Sequence, residues 1–198
     1  MTGKKDKLGG KIGMWLFLFT EIMLFGGLFV LYAAYLSRYA DDFIAGGKEL
    51  SLNFGLVNTL ILLVSSFMVA AAITAVQRKS ARTAVLFLLG TISLGIIFLI
   101  NKYFEWGHKF EIGIYPNAPD LVNGPPGRNI FFSLYYVITG LHGLHIIIGL
   151  VLLSVSLVFL VRNKITPGDY AVLENAGLYW HLVDLIWIFV FPLFYLII

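Results

Sequence analysis

Five apolar runs, each long enough to cross a lipid bilayer, constrain this chain more than any other feature. They fall at about 13–36, 54–77, 83–105, 130–161 and 176–198, and roughly 20 helical residues span a hydrocarbon core of about 30 Å. Only 13% of the residues are charged and the mean hydropathy is +0.88, whereas soluble domains carry about 25% charge. The expected fold class is therefore all-α: a polytopic transmembrane bundle of five helices, forming one domain over residues 1–198. The fourth run exceeds what a bilayer needs, so it tilts or projects into water. The segment 106–129 holds Pro116, Pro119, Gly124, Pro125, Pro126 and Gly127, which together argue against a helix there. Thr166-Pro167-Gly168-Asp169 punctuates the shorter connection before the fifth run.

Lysines and arginines set the expected orientation. An odd number of spans puts the termini on opposite sides. The N-terminal side carries Lys4, Lys5, Lys7, Lys11, Arg78, Lys79, Arg82, Arg162 and Lys164, against Arg38, Lys48, Lys102, Lys109 and Arg128 on the other. The cation-rich side faces the cytoplasm, so the N-terminus is cytoplasmic and the C-terminus periplasmic. The first apolar run is too long for a signal-peptide core and no small-residue cleavage site follows it, which reads as a retained helix. The net charge of +3 is explained by membrane orientation and gives no reason to expect a nucleic-acid partner. With no cysteine in the chain, disulfides, thiolate metal sites, iron–sulfur clusters and c-type haem attachment are excluded.

Against this apolar background, Glu21, His142, His145, His181 and Asp184 stand out. A charge at the bilayer centre costs about 3 kcal/mol on insertion scales, so such groups face protein or water. At 1.5 Å per residue, Glu21, His142 and Asp184 each lie roughly 12 Å from the cytoplasmic edge. His145 and His181 are one turn shallower. His142/His145 and His181/Asp184 are i,i+3 pairs, each on one helix face. Gly140, Gly143 and Gly149, and Gly26 and Gly27 beyond Glu21, offer the small residues that let membrane helices approach. The expectation is a polar cluster joining the first, fourth and fifth runs.

Each residue also has a structural role to set against a functional one. Histidines within membrane helices act as interhelical glue worth about 1 kcal/mol, and Asp184 would pair with a His or Trp on a neighbouring helix. Tyr103, Trp106, Trp180 and Trp187 suit interfacial anchoring, and His108 reads as solvated. Glu105 and His108 form one E-x-x-H, where di-iron bundles need two together with further Glu residues. A metal or haem enzyme using His142, His145 and His181 is the alternative class, but bulky Trp180 and Leu144 disfavour a haem cavity. A proton-coupled transporter lacks the inverted repeat and broken helices expected of it.

Five segments in order resemble one known family. Trp15-Leu16-Phe17-Leu18-Phe19-Thr20-Glu21-Ile22-Met23-Leu24-Phe25-Gly26-Gly27 is similar to the Glu-bearing helix of subunit III of the haem–copper terminal oxidases. Asn58-Thr59 with Ser65-Ser66, and Tyr103-Phe104-Glu105-Trp106, resemble its next two helices. Its two most distinctive segments are matched by Thr139 to Gly149, containing Gly140-Leu141-His142-Gly143-Leu144-His145, and by Tyr179-Trp180-His181-Leu182-Val183-Asp184-Leu185-Ile186-Trp187.

The resemblance implies a subunit with no catalytic residue, metal or cofactor of its own, haem and copper residing in a partner. It implies subunits I and II of the oxidase and bound phospholipid as partners, the bacterial cytoplasmic (inner) membrane as location, and support of proton uptake and lasting turnover. Glu21 matches the family's buried, carbodiimide-reactive carboxylate. His142, His145, His181 and Asp184 match buried polar positions. The long form of the family has seven helices, and this chain begins where the third would. It thus resembles the short form found in bacterial quinol and cytochrome c oxidases, and a subunit associated with nitric oxide reduction.

Overall fold

The computed structural model describes residues 7–197, with side chains from residue 9. Lys4, Lys5 and Ile198, on which part of the orientation count and the end of the fifth run rest, lie outside the described residues, as does the side chain of Lys7. Seven helices follow one another: α1 (Lys7–Arg38), α2 (Ala40–Lys48), α3 (Leu52–Gln77), α4 (Ala81–Glu111), α5 (Pro119–Val122), α6 (Pro126–Val161) and α7 (Ala171–Tyr195). The five long ones, α1, α3, α4, α6 and α7, are each long and apolar enough to cross a membrane. The 36 residues of α6 give about 54 Å of helix, so it projects well beyond a core of about 30 Å.

The segment 106–129 departs from expectation. It is largely helical, with α4 running to Glu111, α5 inside it, and α6 starting at Pro126. Pro119 and Pro126 open their helices, where a missing N–H costs nothing because the first turn has no acceptor for it. The true break is Gly113, whose φ of +77° lets the chain turn at the end of α4. There Ile114 N–H donates to the Lys109 carbonyl at 2.9 Å, closing the last turn in a left-handed cap.

α3 lies along α4 and α7, and α6 along α7 and α4, while α1 touches α6 and α7 from the edge. Trp180 is the wedge at the centre. A Cβ on Gly95 of α4 or Gly149 of α6 would lie 2.7 or 2.8 Å from its indole. Trp180 and Trp187 are fully buried and donate from Nε1 to Ser65 Oγ and Thr59 Oγ1 of α3, each at 3.0 Å. Neither is an interfacial anchor: α7 sits inside the bundle, so its indoles find partners on α3 rather than headgroups. Tyr103, 75% exposed, does face outwards. A Cβ at Gly26, Gly27 or Gly143 would meet nothing within 4 Å, so these glycines admit no close helix approach within the chain.

Helix α2 and the end of the α4–α6 connection close one end of the bundle. Phe43 packs edge-on against Tyr32 and Phe131. Arg128 Nε and Nη2 donate to the Glu49 carboxylate at 2.8 and 2.9 Å. Lys109 Nζ donates to the Glu49 carbonyl, and Gly127 N–H to Asp42 Oδ2 at 3.1 Å. This layer fixes α2 across the helix ends.

Candidate functional site

Glu21 of α1 and His145 of α6 meet, with Oε2 and Nε2 2.8 Å apart. His145 Nδ1 lies 2.7 Å from the Leu141 carbonyl. A carbonyl only accepts, so Nδ1 carries a hydrogen, leaving Nε2 to face the carboxylate. One proton in that bridge makes the pair neutral overall, whether it rests on nitrogen or oxygen. The arrangement therefore holds α1 to α6 through one hydrogen-bonded bridge. Phe25 covers the imidazole edge-on at 5.3 Å and Tyr179 stacks at 6.4 Å. Beyond Glu21, Ile22, Phe25, Gly26 and Phe29 face Leu182 and Ile186 across an apolar groove of about 200 Å³ between α1 and α7.

The other three residues take different partners. His142 is fully buried with neither ring nitrogen hydrogen-bonded among the described residues. It sits among Phe98 and Trp187, at 5.6 and 5.1 Å between ring centroids. His181 turns to α3, where its Nδ1 lies 2.6 Å from Ser66 Oγ. Asp184 is buried beside the same hydroxyl, its Oδ1 without a partner among the described residues. Asp184 thus pairs with a serine rather than with a His or Trp. The five residues do not form one cluster: two join α1 to α6, two join α7 to α3, and His142 lies between aromatic rings. Because both carboxylate and imidazole of the second group address Ser66, no relay of the Ser–His–Asp kind exists, in which the imidazole would stand between the other two. Nor do three His, Cys, Asp or Glu side chains converge as metal ligands among the described residues.

A second polar centre escapes a reading of the apolar runs. Lys102, assigned above to one surface by charge counting, is buried within α4. Its Nζ donates to Glu105 Oε2 at 2.8 Å, Tyr135 OH at 2.9 Å and Tyr195 OH at 3.1 Å. Both phenols also donate to Glu105 Oε1, at 2.9 and 2.6 Å. All three ammonium hydrogens and both carboxylate oxygens are used. The i,i+3 spacing of Lys102 and Glu105 was the available signal, together with a Tyr inside the fourth run and another near the end of the fifth. The lone E-x-x-H dissolves: Glu105 belongs to this network and His108 is exposed.

Five membrane-length helices joined through buried polar pairs define an integral membrane bundle whose ionisable groups serve contacts between helices. A profile of cytochrome c oxidase subunit III matches residues 3–197. The chain is 36% identical to cytochrome c oxidase subunit 3 of Synechocystis sp., covering 93% of this chain and 74% of that one. It is 31% identical to cytochrome c oxidase subunit 3 of Thermostichus vulcanus, over 94% and 86% respectively. It is also 32% identical to the heme-copper oxidase subunit I+III of Aeropyrum pernix over 98% of its own length, but spans only 23% of that longer protein. The chain belongs to the cytochrome c oxidase subunit III family.

Proposed function

We propose that this chain is the third, non-redox subunit of a haem–copper respiratory terminal oxidase. In that assembly, electrons from cytochrome c or a quinol reduce oxygen with coupled proton movement, and haem and copper reside in subunit I with subunit II alongside. The observation that carries this reading is the family match along residues 3–197. The name of one matched relative, heme-copper oxidase subunit I+III, supports intimate association with a subunit I. Relatives named for cytochrome c and for quinol oxidases both match, so the electron donor is left open between them. The chain lies in the bacterial inner membrane with its N-terminus cytoplasmic, a placement that the cation bias supports. Phospholipid contacts its exposed helix faces. Glu21, bridged to His145, supports proton uptake, while His181 and Asp184, both at Ser66, hold α7 against α3.

The test is removal of this chain from the assembled oxidase. Haem and copper content and the initial rate of oxygen reduction should persist, while the number of turnovers before inactivation falls. Unchanged turnover lifetime would overturn the supporting role, and loss of haem signal with this chain would overturn its non-redox assignment. Glu21→Ala should shorten the lifetime more than it lowers the initial rate, whereas equal lifetimes for wild type, Glu21→Ala and Glu21→Gln would remove Glu21 from the function.

A further inference from the structure

α7 is the most enclosed of the five long helices, yet one stripe of it faces outwards. His181, Leu185 and Ile188 stand at i, i+4 and i+7 on a single helix face. Leu185 and Ile188 are 47% and 41% exposed, and His181 is half-buried beside Ser66 of α3. On the other flank Leu185 also lines the apolar groove between α1 and α7. Exposed leucine and isoleucine need no explanation in lipid. The histidine does.

His181 lies about 15 Å from the start of α7 at Ala171 and about 21 Å from its end at Tyr195, inside a hydrocarbon core about 30 Å thick. Its Nδ1 is engaged by Ser66 Oγ at 2.6 Å. Its Nε2 has no partner among the described residues and, unlike both nitrogens of His142, is not enclosed by the bundle. Imidazole is too short to reach the headgroups as Lys and Arg do. Hydrocarbon offers no hydrogen bond, so an unmet ring nitrogen there costs free energy. The Ser66 hydroxyl has one hydrogen and serves both Asp184 and His181. When it donates to the Asp184 carboxylate, Nδ1–H donates to Oγ and Nε2 is left as an acceptor. When Asp184 carries a proton and donates to Oγ, the hydroxyl donates to Nδ1 and Nε2–H is left as a donor. A second hydroxyl facing Nε2 satisfies both arrangements, because it accepts as well as donates. An acyl chain satisfies neither. From His181 to Ile188 the stripe runs for about 10 Å with the spacing at which one helix packs along another.

We propose that this stripe of α7 is where a membrane helix of a neighbouring oxidase subunit packs, a Ser or Thr hydroxyl of that helix meeting His181 Nε2 and its aliphatic side chains lying along Leu185 and Ile188. The inference rests on the oxidase reading above and adds to it the face and the chemistry of the contact.

The test is photo-crosslinking in the intact assembly, with p-benzoylphenylalanine in place of Leu185 or, as a control, of Leu86, 68% exposed on α4. Products are mapped by mass spectrometry. The probe at Leu185 should join a membrane helix of one other subunit within a turn of a Ser or Thr, and the probe at Leu86 should leave that helix unlabelled. His181→Phe keeps a ring and removes both nitrogens. It should lower the Leu185 yield about fivefold, the worth of one hydrogen bond between membrane helices. His181→Gln, which restores a donor and an acceptor, should recover part of the yield. Ser66→Ala breaks the bond inside the chain but leaves Nε2 in place, and should change the yield less than His181→Phe does. Equal yields in wild type and His181→Phe overturn the proposal, as do Leu185 products made only with lipid or with a second copy of this chain. If His181→Phe fails to assemble, a wild-type crosslink with no Ser or Thr within a turn of it overturns the proposal just as well. Capture of no haem-bearing assembly would sink the oxidase reading itself, whereas a haem-bearing assembly in which Leu185 reaches only lipid would sink this contact alone.

Discussion

The two polar centres of this bundle are built on opposite terms. Around Lys102, every donor and acceptor of the cation and carboxylate finds a partner, and three helices contribute. Around Glu21 and His145 a single bridge joins an edge helix to the bundle, and nearby His142 keeps both nitrogens unpaired among the described residues. Full satisfaction makes a buried charge immobile and structural. A lone bridge leaves the remaining oxygen of its carboxylate free of that constraint and ties only two helices together. The difference separates a network of three helices around a buried carboxylate from a single link to a partly buried one.

The largest effect should come from breaking the first centre. Glu105→Ala leaves the Lys102 ammonium buried without a counter-charge, and should cost about 3–5 kcal/mol, measured by denaturant unfolding in mixed micelles. Replacing both partners, Lys102→Met with Glu105→Leu, should cost less than Glu105→Ala alone, because no orphan charge remains. If the double replacement costs more, the network contributes net stability beyond mutual compensation.

Next comes the second centre. His145→Phe should lower stability by about 1–2 kcal/mol, and a double-mutant cycle with Glu21→Leu should give a coupling near 1 kcal/mol, within the range of hydrogen bonds between membrane helices. A coupling of zero would mean that the 2.8 Å bridge does not hold α1. Tyr32→Phe should cost about 1 kcal/mol, because Tyr32 OH donates to the Leu193 carbonyl, one of the carbonyls orphaned at the end of α7. Faster amide exchange near that end would report the loss. Arg128→Ala should cost only about 0.5 kcal/mol, falling with added salt, since its pair with Glu49 is partly solvated.

The smallest effect gives the sharpest contrast. His142→Phe should leave stability unchanged or slightly raised, because it removes two unpaired polar atoms from among Phe98 and Trp187. The same substitution three residues away at His145 is costly. Equal losses at both positions would show that His142 has a partner, such as an internal water, and would erase the distinction between them.

The membrane helices were legible because hydropathy over 20 residues is a strong signal, and Glu21 stood out because its helix is otherwise apolar. The rotation of each helix was not. A bundle in lipid is apolar inside and out, so Trp180 and Trp187 carried no mark of facing inwards, and His181 none of facing α3 rather than α1. Lys102 was misread because a cation near the end of an apolar run looks like a loop residue until the helix is known to continue to Glu111. That extension was obscured by prolines taken as breakers, although Pro119 and Pro126 start helices. Depth put Glu21 in the same layer as the histidines of the fourth run but level with His142, one turn from the His145 it meets, and the Ser66 contacts of His181 and Asp184 depended on which helices are neighbours.

The central claim is that this chain is a redox-free partner of a haem–copper unit. The direct measurement is to capture the assembly through this chain from membranes in mild detergent, then record its haem spectrum and copper content before and after the chain is released. The account predicts haem and copper in the captured assembly, all of it remaining with the larger subunit, and none on the released chain. Capture of the chain alone, or a haem band travelling with it on release, would contradict the account.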